Sequence, residues 1–197
     1  MSGAAADAVD VALLVGRALE AAGVRYFLGG SLASSMQGEP RSTNDIDLVI
    51  DMREAQVAAL VSALGPDFSV DEEALCASLR QGIAANLFYL PLFIKVDLMP
   101  RGAAAFDESE FARRQSVAVG PDGAALWVKT AEDSVLRTLW WFEQGGRVSD
   151  RQWRDVVAIL RASGARLDDG YLAAWSAPLG VAELLEAARR EAESHGG

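Results

Sequence analysis

The chain has 197 residues, 51% of them hydrophobic, with five tryptophans and seven phenylalanines, enough to bury one good core or one domain with a smaller appended lobe. A formal net charge of −10 and a pI near 4.6 exclude nucleic-acid binding by bulk electrostatics, so any polyanion must meet a local basic patch or bridging cations. With a single cysteine, Cys76, and a single histidine, His195, there is no basis for a disulfide framework, a Cys/His zinc site or histidine-based nucleophilic catalysis, which leaves carboxylates, arginines or a metal to carry any chemistry.

The N-terminus does not read as a signal peptide. No basic residue precedes Arg17, Asp7 and Asp10 are acidic, and the apolar run Val11 to Val15 is short. No segment approaches the roughly 20 apolar residues that span a bilayer. A cytoplasmic chain without membrane association is the expectation. Val11, Leu14, Val15, Ala18 and Leu19 recur with a helical period and predict a helix over 8–22, stopped by Gly23.

"RYFLG" then predicts a short strand, with Ser31 as N-cap of a helix through "LASSMQ". "DIDLVID" is a strand, Asp51 and Glu54 form a capping-box pattern for a helix over 52–64, and a further helix occupies 71–81. "AANLFYLPLFIKVDLMP" reads as two apolar strands around Pro91, the second running from Phe93 to Leu98 and ending before Pro100. "FDESEFARRQ" is a short helix and "SVAVGPDGAALWVK" a hairpin on a Pro-Asp-Gly turn.

From Thr130 the pattern is helical only. Thr130 with Asp133 and Ser149 with Gln152 cap two helices, and Trp153, Val156, Val157 and Leu160 make a buried stripe on the second. Two more helices follow near 168–177 and 180–193, and the tail "ESHGG" leaves His195 as a frayed, solvated residue. The expected division is a mixed α/β domain over 1–128 and a helical lobe over 129–197.

Chemistry concentrates between Leu28 and Asp51. Strand alternation puts Asp45 and Asp47 on one face and Ile46, Leu48 and Ile50 on the other, with the two aspartates about 7 Å apart at Cα. Carboxylates that close repel one another unless a cation or proton intervenes, and a hard divalent ion such as Mg²⁺ is the ordinary remedy. Asp97, in the apolar strand "FIKVDLM", is a third costly carboxylate. An adjacent pair of strands would bring it against the first two, and three carboxylates can hold the two Mg²⁺ ions of in-line phosphoryl transfer. Lys95 shares its face and is placed to neutralise it or to touch a phosphate. Upstream, Gly29 and Gly30 allow close backbone approach, and Ser31 opens a helix whose N-terminus favours phosphate. The stretch therefore reads as an NTP site.

The order "GGS", thirteen residues, "DID", and a later "VDL" resembles the DNA polymerase β-like nucleotidyltransferase superfamily. Within it, "GEPRSTNDIDLVID", "KVDLMP" and "AEDSVLRTLWWFEQGGRVSDRQWRDVVAIL" resemble bacterial proteins grouped with the AbiEii-type nucleotidyltransferase toxins, a likeness that runs from about Tyr26 to Leu160. The resemblance implies an α/β fold with a small mixed sheet flanked by helices and a C-terminal helical lobe. It implies Gly29, Gly30 and Ser31 for the triphosphate of ATP or another NTP. It implies Asp45, Asp47 and Asp97 for Mg²⁺ and catalysis, with Asp97 also activating the acceptor hydroxyl. In the related toxins a lysine on the first helix after the α/β lobe reaches the nucleotide. Here that position is Thr138, flanked by Arg137, which is not an equivalent donor. The family's downstream aspartate matches Asp155.

Several residues admit plainer roles. Arg41 suits a phosphate contact and a plain loop arginine equally, and Asn44 reads as a turn residue bonding its own backbone. Trp140 and Trp141 are expected in the core, and Arg147, Arg151 and Arg154 on a solvated helix face. Arg113 and Arg114 fit cations at a helix C-terminus, and Cys76 a small buried hydrophobe. The function expected is Mg²⁺-dependent transfer of a nucleoside monophosphate from an NTP to a hydroxyl on tRNA, a protein or a cationic small molecule. The toxin likeness adds a cognate antitoxin as partner. The alternative is a non-catalytic module that binds nucleotide or a partner.

Overall fold

The computed structural model describes residues 7–119 and 123–194. His195 and the Pro121-Asp122 part of the expected hairpin turn lie outside them. The chain divides into two compact units, the residues up to Leu32 with Thr43–Lys129, and Ala33–Ser42 with the residues from Thr130 onward.

In the first unit the described strands are β1 (Arg25–Leu28), β2 (Asp45–Asp51), β3 (Phe68–Ser69), β4 (Ala85–Tyr89), β5 (Ile94–Pro100), β6 (Gln115–Ala118) and β7 (Ala125–Val128). They form one seven-stranded sheet in the order β3-β4-β5-β2-β1-β7-β6. β2 pairs with β5, and β1 with β7, in parallel, while the remaining neighbours are antiparallel. Parallel neighbours need long crossovers, and the β2–β5 crossover holds α3 (Val57–Leu64) and α4 (Glu72–Gln81).

The two faces of the sheet differ in chemistry because side chains alternate. One face carries Tyr26, Leu28, Ile46, Leu48, Ile50, Val96 and Leu98, all buried, with α1 (Ala8–Ala21) packed on it through Val11, Val15 and Leu19. Gly16 of α1 lets the helix meet the Tyr26 hydroxyl, where burial, aided by Glu20, raises the phenol's pKa to about 12. The opposite face carries Asp45, Asp47 and Asp97. Toward the other end of these strands it is covered by α5 (Ala105–Arg113), whose Phe111 ring lies 5.6 Å from that of Phe27.

Five local expectations are corrected. The helix α2 (Gly30–Gln37) starts one residue early, so Ser31 lies in its first turn and not at the N-cap. Asp51 closes β2 and pairs with Arg25 and Arg101, while the turn before α3 is closed by Gln56 Oε1 accepting from the Arg53 N–H at 3.0 Å. β5 runs from Ile94 to Pro100, not from Phe93 to Leu98. Phe93 is an exposed left-handed residue after a 3₁₀ turn. Pro100 is tolerated because β4 pairing ends at Ala85 opposite Leu98, and the chain resumes its bond to β2 through Arg101 N–H and the Ile50 carbonyl at 2.8 Å. Trp141 is 53% exposed and is not core, and Cys76 is only half-buried.

The second unit contains α6 (Ala131–Gln144), α7 (Asp150–Ser163), α8 (Asp169–Ser176) and α9 (Ala182–Ser194). The expected caps form. Thr130 accepts from the Asp133 N–H and Ser149 from the Gln152 N–H. Asp133 is fully buried yet well satisfied, with Oδ2 accepting from Thr130 Oγ1 at 2.7 Å and Oδ1 from the Tyr171 hydroxyl at 2.6 Å. Val156, Val157 and Leu160 are buried as expected, and Trp153 packs on Phe142 at 5.4 Å. Among the described residues no helix is long and apolar enough to cross a membrane.

Gly16→Ala tests the α1 contact. Alanine would gain roughly 1 kcal/mol of helix propensity. A methyl group would also overlap the buried Tyr26 hydroxyl, and overpacking costs about 1–3 kcal/mol. The urea midpoint is expected to fall, and a rise would show that the contact relaxes freely.

Candidate active site

Strand register brings the aspartates together. Asp47 stands opposite Asp97, and Asp45 opposite Lys95, across the parallel β2–β5 pair. Adjacent strands are about 4.8 Å apart, so these side chains are neighbours on one face. The next strand extends the two rows, with Asn86 opposite Asp97 and Phe88 opposite Lys95, both exposed.

The glycine turn closes on the same spot. The Gly29 N–H donates to the Asp47 carbonyl at 2.8 Å. Gly30 follows in the left-handed region at φ 55°, with the Asp47 carboxylate so close that any Cβ at position 30 would overlap it. Glycine is thus required there both by backbone conformation and by space. Ser31 Oγ and Thr43 Oγ1 hydrogen-bond at 2.8 Å, and Thr43 in turn bonds the backbone of Asp45, tying the start of α2 to the start of β2.

Charge at this face is unbalanced. Burial, and then the neighbouring charges of Asp97 and Asp45, raise the pKa of Asp47, against the pull of Lys129 and Lys95. Lys95 Nζ lies 2.8 Å from Asp97 Oδ2 and 3.9 Å from Asp45 Oδ1. Its hydrogen bond to Asp97 and the surrounding carboxylates raise its own pKa. Asp97 Oδ1 is buried with no hydrogen-bond partner. Among the described residues no group of three or more His, Cys, Asp or Glu side chains is arranged as a closed metal cage. The donors nonetheless suit a hard divalent cation. All are carboxylate oxygens, one is buried and unsatisfied, and one carboxylate is held in unfavourable company.

Lys129 escaped the sequence reading. It follows β7, its N–H donates to the Leu28 carbonyl at 3.3 Å, and its buried amine lies 3.7 Å from the equally buried Glu110. The available signal was that it is one of only two lysines in the chain and ends the apolar run "ALWVK".

Arg41 and Arg137 belong to the second unit. The Arg41 guanidinium forks onto Asp155, with Nε to Oδ1 at 3.2 Å and Nη2 to Oδ2 at 2.8 Å. Arg137 lies over the Trp140 ring at 5.6 Å on α6, and Thr138 beside it is half-buried. Arg151 and Arg154 are exposed, as expected of a solvated helix face.

No protein-family model and no curated protein matches the sequence. Solved structures do match. The solution structure of the antibiotic-resistance factor ANT(2'')-Ia aligns over 92% of this chain and 99% of its own, with a TM-score of 0.52 and 13% identity. The crystal structure of ANT(2'')-Ia in complex with adenylyl-2''-tobramycin aligns over 96% and 98%, with a TM-score of 0.50 and 13% identity. An antigenic nucleotidyltransferase-like protein from Paracoccidioides brasiliensis aligns over 91% and 90%, with a TM-score of 0.53 and 16% identity. At such identities the likeness is one of fold. The chain has an α/β fold of nucleotidyltransferase type, with a mixed seven-stranded sheet flanked by helices and further helices at its C-terminal end.

The raised pKa of Asp47 sets a sign for stability. Its charged form is disfavoured in the folded chain, so the folded state gains relative stability below the ordinary value of 3.8 and loses it as pH rises through the raised value. In EDTA at pH 7, Asp47→Asn is expected to melt higher than the wild type, with the gap closing as pH falls through that window. An Asp47→Asn variant that melts lower at pH 7 would contradict the electrostatic account.

Proposed function

We propose that the chain is a Mg²⁺-dependent nucleotidyltransferase that moves a nucleoside monophosphate from an NTP, ATP among them, to an acceptor hydroxyl. The observation that carries this reading is the meeting of the Gly29-Gly30 turn with Asp47, beside Asp97 and Asp45 on one sheet face. Asp45, Asp47 and Asp97 are the residues that would hold Mg²⁺. When bound, it neutralises the triphosphate and lowers the pKa of the acceptor.

The chain's own residues do the rest. Gly29 and Gly30 let the backbone approach the triphosphate, and Ser31 in the first turn of α2 lies among N–H groups that favour phosphate. The acceptor oxygen bonds to the α-phosphorus, the bond from that phosphorus to the departing pyrophosphate breaks, and Asp97 accepts the hydroxyl proton. In the second unit Arg41 and Arg137 are the residues proposed for nucleotide binding, and the Arg41 guanidinium is held by Asp155.

A net charge of −10 favours a cationic small molecule as acceptor over RNA. The fold likeness to an antibiotic-resistance factor whose complex holds adenylyl-2''-tobramycin points the same way. The AbiEii-type resemblance supports a second acceptor class, tRNA or protein, with a cognate antitoxin as partner. A non-catalytic binding module is the other reading, favoured by Thr138 where the related toxins place a lysine.

The test is incubation with each α-³²P-labelled NTP and Mg²⁺, offering tobramycin, total bacterial RNA and cell lysate in separate reactions. Label is expected on one of them, reduced about 100-fold or more in Asp45→Asn/Asp47→Asn and abolished by EDTA. Nucleotide binding without transfer to any acceptor would favour the binding module.

A further inference from the structure

Three carboxylates on one face invite two divalent cations, but this chain brings a cation of its own. The Lys95 ammonium is hydrogen-bonded to Asp97 Oδ2 at 2.8 Å and lies 3.9 Å from Asp45 Oδ1, so it spans two of the three aspartates. Its position follows from register. Lys95 shares a row with Asp45 on β2 and with Phe88 on β4, and Phe88 offers no counter-charge, so the amine turns toward the aspartates. The two oxygens of Asp97 thereby differ. Oδ2 is engaged by Lys95, while Oδ1 is buried, without a hydrogen-bond partner, on the residue that stands opposite Asp47.

We infer that Lys95 is a built-in cation occupying the Asp45 side of the cluster, so that the site takes one divalent cation, held between Asp47 and Asp97 Oδ1, and not two. This rests on the metal-dependent reading above and goes beyond it in the number of ions and in the carboxylates that hold them. The other lysine nearby, Lys129, lies 3.7 Å from the buried Glu110, while Lys95 pairs with Asp45 and Asp97. A plain surface ion pair would be worth little and would leave metal stoichiometry untouched.

The test is titration of the nucleotide-free protein with Mn²⁺, reading free Mn²⁺ by electron paramagnetic resonance, so that triphosphate oxygens add no sites. Wild type is expected to bind one Mn²⁺ per chain, Lys95→Arg one, and Lys95→Met two, with far-ultraviolet circular dichroism confirming that each variant is folded. Two ions on the wild type, or a folded Lys95→Met that still binds one with unchanged affinity, would overturn the inference while leaving the metal site standing. No bound Mn²⁺ on any of the three proteins would overturn both it and the metal-dependent reading.

Discussion

Gly30 enters α2 in a left-handed conformation with the Asp47 carboxylate against its α-carbon, while the preceding Gly29 N–H holds the Asp47 carbonyl. That contact joins a helix start to the middle of a strand and leaves no room for a side chain between them. It fixes where the first turn of α2 stands relative to the acidic face of β2. The unfavourable charge of Asp47 and the unsatisfied Asp97 Oδ1 stand on residues directly opposite one another across the β2–β5 pair.

The scaffold tolerates this because the opposite face of the same strands is apolar without interruption. Ile46, Leu48, Val96 and Leu98 are buried to within about 1% of their surface, and at roughly 1.5–3 kcal/mol per side chain their burial outweighs one strained carboxylate pair. Lys95 softens the repulsion from within the cluster, and the charge of Lys129 acts on Asp47 in the same direction. A divalent cation, as the proposed function requires, would complete the balance.

Much of this was legible in the residues. The alternation of "DIDLVID" identified both faces of β2, and the caps at Thr130 and Ser149 marked α6 and α7 where they occur. The partnership of β5 with β2 was open to sequence reading only as a possibility, since parallel neighbours are separated by a long crossover and local patterns carry no register. Asp51 was misread because an acidic residue three before Glu54 fits a cap as well as a strand end, and only the tertiary positions of Arg25 and Arg101 decide between them. Trp141 was misread because its neighbours on α6 alternate between buried and exposed faces within one turn. The Lys129–Glu110 pair joins a strand end to a helix and leaves no local pattern to detect.

The most direct measurement is calorimetric titration of the wild-type chain with a non-hydrolysable ATP analogue, once in Mg²⁺ and once in EDTA. Binding is expected in Mg²⁺ and is lost in EDTA, because the triphosphate meets the acidic face only through the cation. Equal affinity in both buffers, or no binding in either, would contradict a metal-bridged nucleotide site built on Gly30, Asp47 and Asp97.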